Sequence, residues 1–249
     1  MKKKEKKILG LIGARSGSKG VPDKNIKDFN GKPLLGNIIE KAKNSKFINR
    51  LIVSTDSKEY SEIAKFYGAE IPCLRPKSLA EDFSPEIDFV KHMINFLKKE
   101  EDYIPDIVVR MMVTIPFQTT DDIDSVISVL IKNVKADSAV VISEARQHPQ
   151  KALKIIEDNE KNQRLVTYYS ESGVEVTPIA RQNYQKAYFR GNIIACKTST
   201  IFRTNSLTGN LVKFHIIPQE RAIDIDNNID FIICEILSKK IMWISILEY

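Results

Sequence analysis

Ile8–Asn25 reads I-L-G-L-I-G-A-R-S-G-S-K-G-V-P-D-K-N, and the change of character halfway along it decides the fold. Ile8–Ala14 is a short apolar run, the length of a strand buried on both faces. It breaks into Ala14–Asn25, which holds two glycines, two serines and three cations. Gly17 and Gly20 let the backbone turn tightly and bring N–H groups close to an oxyanion. Arg15, Lys19 and Lys24 supply positive charge, with Ser16 and Ser18 between them, and an arginine fork can bind phosphate oxygens bidentately. Asn25 both donates and accepts, so it can reach a ribose or a phosphate. The spacing fits neither G-x-x-x-x-G-K-[ST] nor G-x-G-x-x-G. On the residues alone, a phosphate-binding loop and a solvated Gly/Ser turn both stand.

Outward from this stretch, apolar spacing alternates between strand and helix. Helices are predicted over Pro33–Lys43, Ser57–Tyr67 (closed by Gly68), Glu86–Leu97 and Asp121–Asn133. Strands are predicted at Leu51–Val53, Asp106–Met112 and Ser138–Ser143. Such alternation implies an α/β fold with a mainly parallel sheet covered on both faces. The pattern breaks after His148-Pro149, and residues 150–187 read as a polar insertion into one domain spanning 1–249. Regular structure returns at Tyr188–Ala195, and Phe231–Leu237 forms a last helix. Ligands of open α/β sheets sit outside the carboxyl ends of the strands. That rule collects Arg15–Asn25, Ser54-Thr55-Asp56 and Thr114–Thr120 on one rim.

Composition narrows the class. The chain has 249 residues, 43% hydrophobic and 28% charged, enough for one substantial core. Much of the net charge of +6 lies in Lys2, Lys3, Lys4, Lys6 and Lys7, a solvated tail rather than a nucleic-acid arm. No stretch approaches the roughly 20 apolar residues that span a bilayer, so no membrane partner is expected. Cys73, Cys196 and Cys234 are odd in number and form no CxxC pair, which points to a reducing cytoplasm.

Ala222-Ile223-Asp224-Ile225-Asp226 alternates acidic and apolar residues. On a strand, Asp224 and Asp226 share one face, and two such carboxylates with substrate phosphates suit Mg²⁺. An edge strand with its polar face in water is the other reading.

Arg15–Asn25 resembles the signature loop of the acylneuraminate cytidylyltransferases. The likeness continues in order through Val53–Asp56, Leu74-Arg75-Pro76, Leu79-Ala80, His148-Pro149, Arg181-Gln182 and Ala222–Asp230. It implies a three-layer Rossmann-like nucleotidyltransferase fold with an inserted dimerisation flap, and hence a homodimer. The implied reaction joins CMP from CTP to the anomeric hydroxyl of an acidic 2-keto sugar, releasing pyrophosphate. In that reading Arg15, Lys24, Arg181 and Asp224 are catalytic, Asp224 and Asp226 hold Mg²⁺, and Arg75 joins the loop in contacting the nucleotide. Met112, Gln118, Lys151, Arg181, Gln182, Arg190 and Asn192 would meet the sugar.

Departures cluster at Arg110–Thr119, R-M-M-V-T-I-P-F-Q-T, where the family pattern is close to L-Q-P-T-S-P-L-R-T. Met112 stands for Gln, and Gln118 for Arg. Replacing an amide by a thioether removes a donor and an acceptor, which bears on the choice of sugar. Legionaminic- and pseudaminic-type acids are therefore expected alongside N-acetylneuraminate. A transferase for another nucleotide and sugar, and a non-catalytic nucleotide-binding module, share the same loop. The paired carboxylates count against the latter.

Overall fold

A computed structural model describes residues 5–18, 20–157, 161–169 and 183–247, with backbone alone from 240 to 247. Six strands form the main sheet: β1 (Ile8–Gly13), β2 (Arg50–Ser54), β3 (Ile107–Met112), β4 (Ser138–Glu144), β7 (Tyr188–Lys197) and β8 (Val212–Ile216). Two more, β5 (Leu153–Glu157) and β6 (Gln163–Thr167), pair antiparallel as a separate hairpin. The helices are α1 (Leu34–Lys43), α2 (Lys58–Phe66), α3 (Glu86–Glu101), α4 (Thr120–Lys132), α5 (Thr198–Thr204) and α6 (Asn228–Leu247).

The sheet runs β2-β1-β3-β7-β4-β8, parallel except for β7, which lies antiparallel between β3 and β4. Alternate side chains of each strand enter different cores. Ile8, Ile12, Val53, Val109, Met111 and Val141 pack with α1, α2, α4 and α6 on one face. Leu9, Leu11, Ile52, Val108, Ile194 and Cys196 pack with α3 and Ile201 of α5 on the other. The result is the three-layer α/β arrangement, with β3 and β7 at its centre.

Local chemistry sets the helix starts. Ser57 caps α2 by accepting from the Tyr60 N–H, and Gly68 follows that helix at φ 89°. Thr119 and Asp122 form a reciprocal capping box at α4: the Thr119 hydroxyl accepts from Asp122 N and the Asp122 carboxylate from Thr119 N. Pro33 and Pro85 stand just before α1 and α3, where no helical N–H is lost. The periodicity reading passes over α5 and β8. One expectation is corrected outright: Asp224 and Asp226 are not on a strand. Ala222 ends a 3₁₀ turn and Ile223 follows it in extended conformation, where Ile225 N donates to Thr114 O at 2.9 Å without a β ladder. The alternation itself holds, since Ile223 and Ile225 are buried and Asp226 is exposed.

Candidate active site

From β1 the chain passes to β2 on one side and later to β3 on the other, so β1 and β3 meet at a switch of strand order. Loops leaving their carboxyl ends diverge there and open a crevice. A cleft of about 380 Å³ occupies it, lined among others by Arg15, Ser18, Lys24, Asn25, Arg75, Met112, Asn192, Asp224 and Asp226.

The glycine-rich loop is braced from three sides. Gly17 adopts φ 73°, which a side chain would strain. Asp56, at the end of β2, accepts from Ser16 N at 2.8 Å and from Ser16 Oγ at 2.7 Å. Burial works to raise the Asp56 carboxyl, but these bonds outweigh it and hold the group below its ordinary value. Asn25 is buried and donates to Arg15 O at 2.9 Å, so its amide shapes the loop while its edge lines the cleft. Lys24 Nζ donates to Ile225 O and stands 3.9 Å from Asp226 Oδ1. A Cβ on Gly20 would lie 2.1 Å from the Asp226 carbonyl oxygen. No other residue fits there without moving backbone, and the loop and the acidic segment touch at that point.

Arg15 points across the cleft to Asp82 at 2.9 Å and reaches Ala80 O at 3.4 Å. Arg75 is buried, donates to Ser54 O at 2.6 Å and to Ser54 Oγ at 3.0 Å, and lies 4.2 Å over the Phe89 ring. Burial pushes its guanidinium down to about 10, against the pull of Asp56. Arg75 thus presents a flat, stacked cation to the cleft, a surface on which a planar base can rest.

Opposite the loop, Asp224 Oδ2 accepts from Asn192 Nδ2 at 2.8 Å, while Asp224 Oδ1 is buried without a partner. An unpaired buried carboxylate oxygen is costly, and it marks a place for a cation or a proton. Desolvation first, and the Asp224 charge second, raise the Asp226 carboxyl, with Lys24 opposing. Two carboxylates that disfavour each other's charge fit a cation between them. Among the described residues no group of three His, Cys, Asp or Glu side chains is arranged for a metal, so this pair is the fit available. Asp230 accepts from Asp226 N and Asn227 N at 3.0 Å and so caps α6.

The sugar-side residues do not all gather here. Met112 and Asn192 line the cleft. Gln118 is fully buried, is not among the cleft residues, and has no hydrogen-bond partner for either end of its amide. Lys151 is exposed, 5.8 Å over Tyr184, and Arg190 is exposed on β7 outside the cleft. Lys19, Arg181 and Gln182 lie outside the described residues. Residues that the sequence did not single out for the site also line the cleft, Asp82, Glu86 and Phe89, while Thr114 stands on the rim expected. Asp56 had a signal, a carboxylate directly after a strand.

A family model described as Cytidylyltransferase matches residues 9–240. "Post-translational flagellin modification protein B" of Campylobacter coli is 30% identical over 94% of this chain and 95% of its own length. An N-acylneuraminate cytidylyltransferase of Escherichia coli is 28% identical over 90% of this chain, which spans 50% of that longer protein. A pseudaminic acid cytidylyltransferase of Campylobacter jejuni is 29% identical over 94% of this chain and 97% of its own. Among solved structures, a CMP:2-keto-3-deoxy-manno-octonic acid synthetase complexed with CTP superposes with a TM-score of 0.67 at 14% identity. It covers 94% of this chain and 99% of its own. That likeness concerns the fold, the same three-layer α/β arrangement.

Proposed function

From the premise that the chain belongs to the cytidylyltransferase family, we propose that it transfers CMP from CTP to the anomeric hydroxyl of a sialic-acid-like nonulosonic acid. One observation carries the reading: a glycine-rich cationic loop and a carboxylate pair face one cleft and are packed together at Gly20 and Asp226.

The sugar hydroxyl oxygen attacks the α-phosphorus, the bond to the β-phosphate oxygen breaks, and pyrophosphate departs with its electron pair. Arg15 and Lys24 neutralise phosphate charge, and the loop N–H groups at Gly17 and Ser18 orient the oxygens. Asp224 and Asp226 would hold Mg²⁺, which when bound supplies further charge neutralisation at the phosphates. One of Asp224 and Asp226 takes the proton of the attacking hydroxyl. Arg75 on Phe89 takes the base.

The named relatives divide among sugars, and Met112 bears on the choice here. Its thioether can neither donate to a hydroxyl nor accept strongly from one, so it favours a sugar with an apolar or acylated group at that wall. Arg181, Gln182, Lys151 and Arg190 are assigned to the sugar carboxylate and its surroundings. Lys151 and Arg190 stay outside the cleft of a single chain. Their role belongs to a homodimer in which the segment 150–187 reaches a second copy. The hairpin offers Leu153, Ile155 and Leu165 to solvent, all more than half exposed, as a surface for that contact. Cys73, Cys196 and Cys234 are free thiols, consistent with work in a reducing compartment.

The test is pyrophosphate release from each of ATP, CTP, GTP and UTP with Mg²⁺. The acceptors are N-acetylneuraminate, pseudaminate and N,N'-diacetyllegionaminate. CTP with at least one acceptor should release pyrophosphate. Turnover with another nucleotide but not CTP would overturn the assignment of the base, and silence with every pair would leave a binding module.

A further inference from the structure

Arg110 is out of character for its place. It stands fourth in β3, I-V-V-R-M-M, among five apolar side chains, and is 3% exposed in the centre of the sheet. A guanidinium taken out of water costs several kcal/mol unless it is well paired, a penalty that leucine or methionine would not carry. Burial lowers its ionisation, with the charges of Glu86 and Asp224 opposing and that of Arg190 adding to the fall. Its contacts run in two directions. One terminal nitrogen lies 3.2 Å from Glu86 Oε2, at the start of α3, and the other donates to the Asn192 carbonyl at 3.2 Å.

Asn192 stands where the pairing of β7 turns irregular. On the β3 side, the ladder to β7 ends with Met111 opposite Ile193. On the β4 side, the register breaks between Val140, opposite Ile194, and Ile142, opposite Arg190. Asn192 sits inside that irregularity on the β4 side. Bulges of this kind re-aim side chains beside active sites, and here the re-aimed side chain is the one that holds Asp224.

We propose that Arg110 is a positioning residue: by holding the Asn192 carbonyl within the β7 break, it aims the Asn192 amide at Asp224 Oδ2 and so fixes the orientation of that carboxylate. The proposal rests on Asp224 being a cation ligand, and it deepens that reading by naming what orients the ligand. Partners behind a metal ligand are typically worth about 10–100-fold in metal affinity or activity.

The experiment titrates Mn²⁺ against the full chain with CTP, reading free Mn²⁺ by electron paramagnetic resonance, alongside kcat and KM. Asn192→Ala and Arg110→Met should each weaken Mn²⁺ binding by about 10-fold or more. The double variant should lose no more than the worse single one, because both act on one carboxylate. The KM for CTP should move much less than kcat. Additive losses, or wild-type Mn²⁺ affinity in a folded Arg110→Met, would overturn the proposal. If Arg110→Met does not fold, Arg110→Lys decides. A cation without the fork should lose affinity by at least about threefold, and unchanged affinity refutes the role. Asp224→Asn separates the two levels. If it leaves Mn²⁺ affinity intact, the metal reading falls. If it abolishes binding while the Arg110 variants do not, the positioning role alone falls.

Discussion

The two halves of the main sheet are built to different standards of closure. In β2, β1 and β3 nearly every side chain is buried, and helices cover both faces. In the β4–β8 half, the face shared by Val212, Phe214 and Ile216 is open, with Phe214 56% and Ile216 50% exposed. Tyr188 and Phe189 of β7 are exposed beside it. The closed half carries the glycine loop, where each brace comes from the same chain. The open half leads along the chain from β4 into the hairpin, and its neighbour β7 carries Arg190 and Asn192. The proposed nucleotide loop is thus braced within one chain, whereas the β4–β8 half is left with apolar surface of the kind that marks an interaction site.

Asp224→Asn puts the greatest weight on the cleft that the closed half borders. It removes charge from a carboxylate whose Oδ1 is buried without a hydrogen-bond partner, and kcat should fall by about 100-fold or more with the melting curve little changed. Near-normal turnover at limiting Mg²⁺ would break the view that this half is the chemical one. Gly20→Ala adds a single carbon 2.1 Å from the Asp226 carbonyl oxygen. Forcing that backbone apart should cost about 1–3 kcal/mol of stability and reduce turnover as well. A variant as stable and active as the parent would mean that loop and acidic segment do not depend on each other.

The open half should answer differently. Phe214→Asp places a charge on an exposed strand, and unfolding free energy should change by less than about 0.5 kcal/mol. In the proposed homodimer, sedimentation should nevertheless move toward monomer, and an unchanged sedimentation would assign the apolar face elsewhere. The smallest effect concerns Asp137, which ties β4, α5 and the turn before β8 together. It accepts from Asn210 N at 2.9 Å, Leu211 N at 3.0 Å and Thr200 Oγ1 at 3.1 Å. Those backbone bonds first, and then Thr200 and Arg203, hold its carboxyl down at about 2. A depressed carboxylate stabilises the fold above its ordinary pKa, and that stability is lost as pH falls toward the folded value. Asp137→Asn should therefore lower the melting temperature at pH 7 and do so less and less as pH falls below the usual carboxylate range. A constant difference across pH would remove the carboxylate from the account.

What was legible in the sequence was local. The apolar run at Ile8, the glycines after it and the spacing of α1 to α4 depend on near neighbours, so their boundaries fall within a few residues of those observed. Thr198–Thr204 has no apolar period to announce a helix. Val212–Ile216 alternates as V-K-F-H-I but turns its apolar side outward, so burial could not mark it. The alternation around Asp224 was readable, yet whether it joins a ladder depends on strands far away in the chain. Gln118 was expected at the sugar and is buried instead, because the chain turns inward before Thr119 caps α4. Arg110 is the plainest case. A cation in an apolar strand is a visible signal, but its meaning came only with Glu86, Asn192 and the break in β7.

The ion pair between Arg15 and Asp82 has a consequence for how substrate arrives. With that guanidinium already neutralised at 2.9 Å, a triphosphate bound as proposed would have to displace a carboxylate before using the charge. Entry is an exchange of anions rather than an addition of one. A lone phosphate competes poorly in such an exchange, while a chain of three that also reaches Lys24 can win it. The same carboxylate stands ready to reclaim the arginine when pyrophosphate leaves.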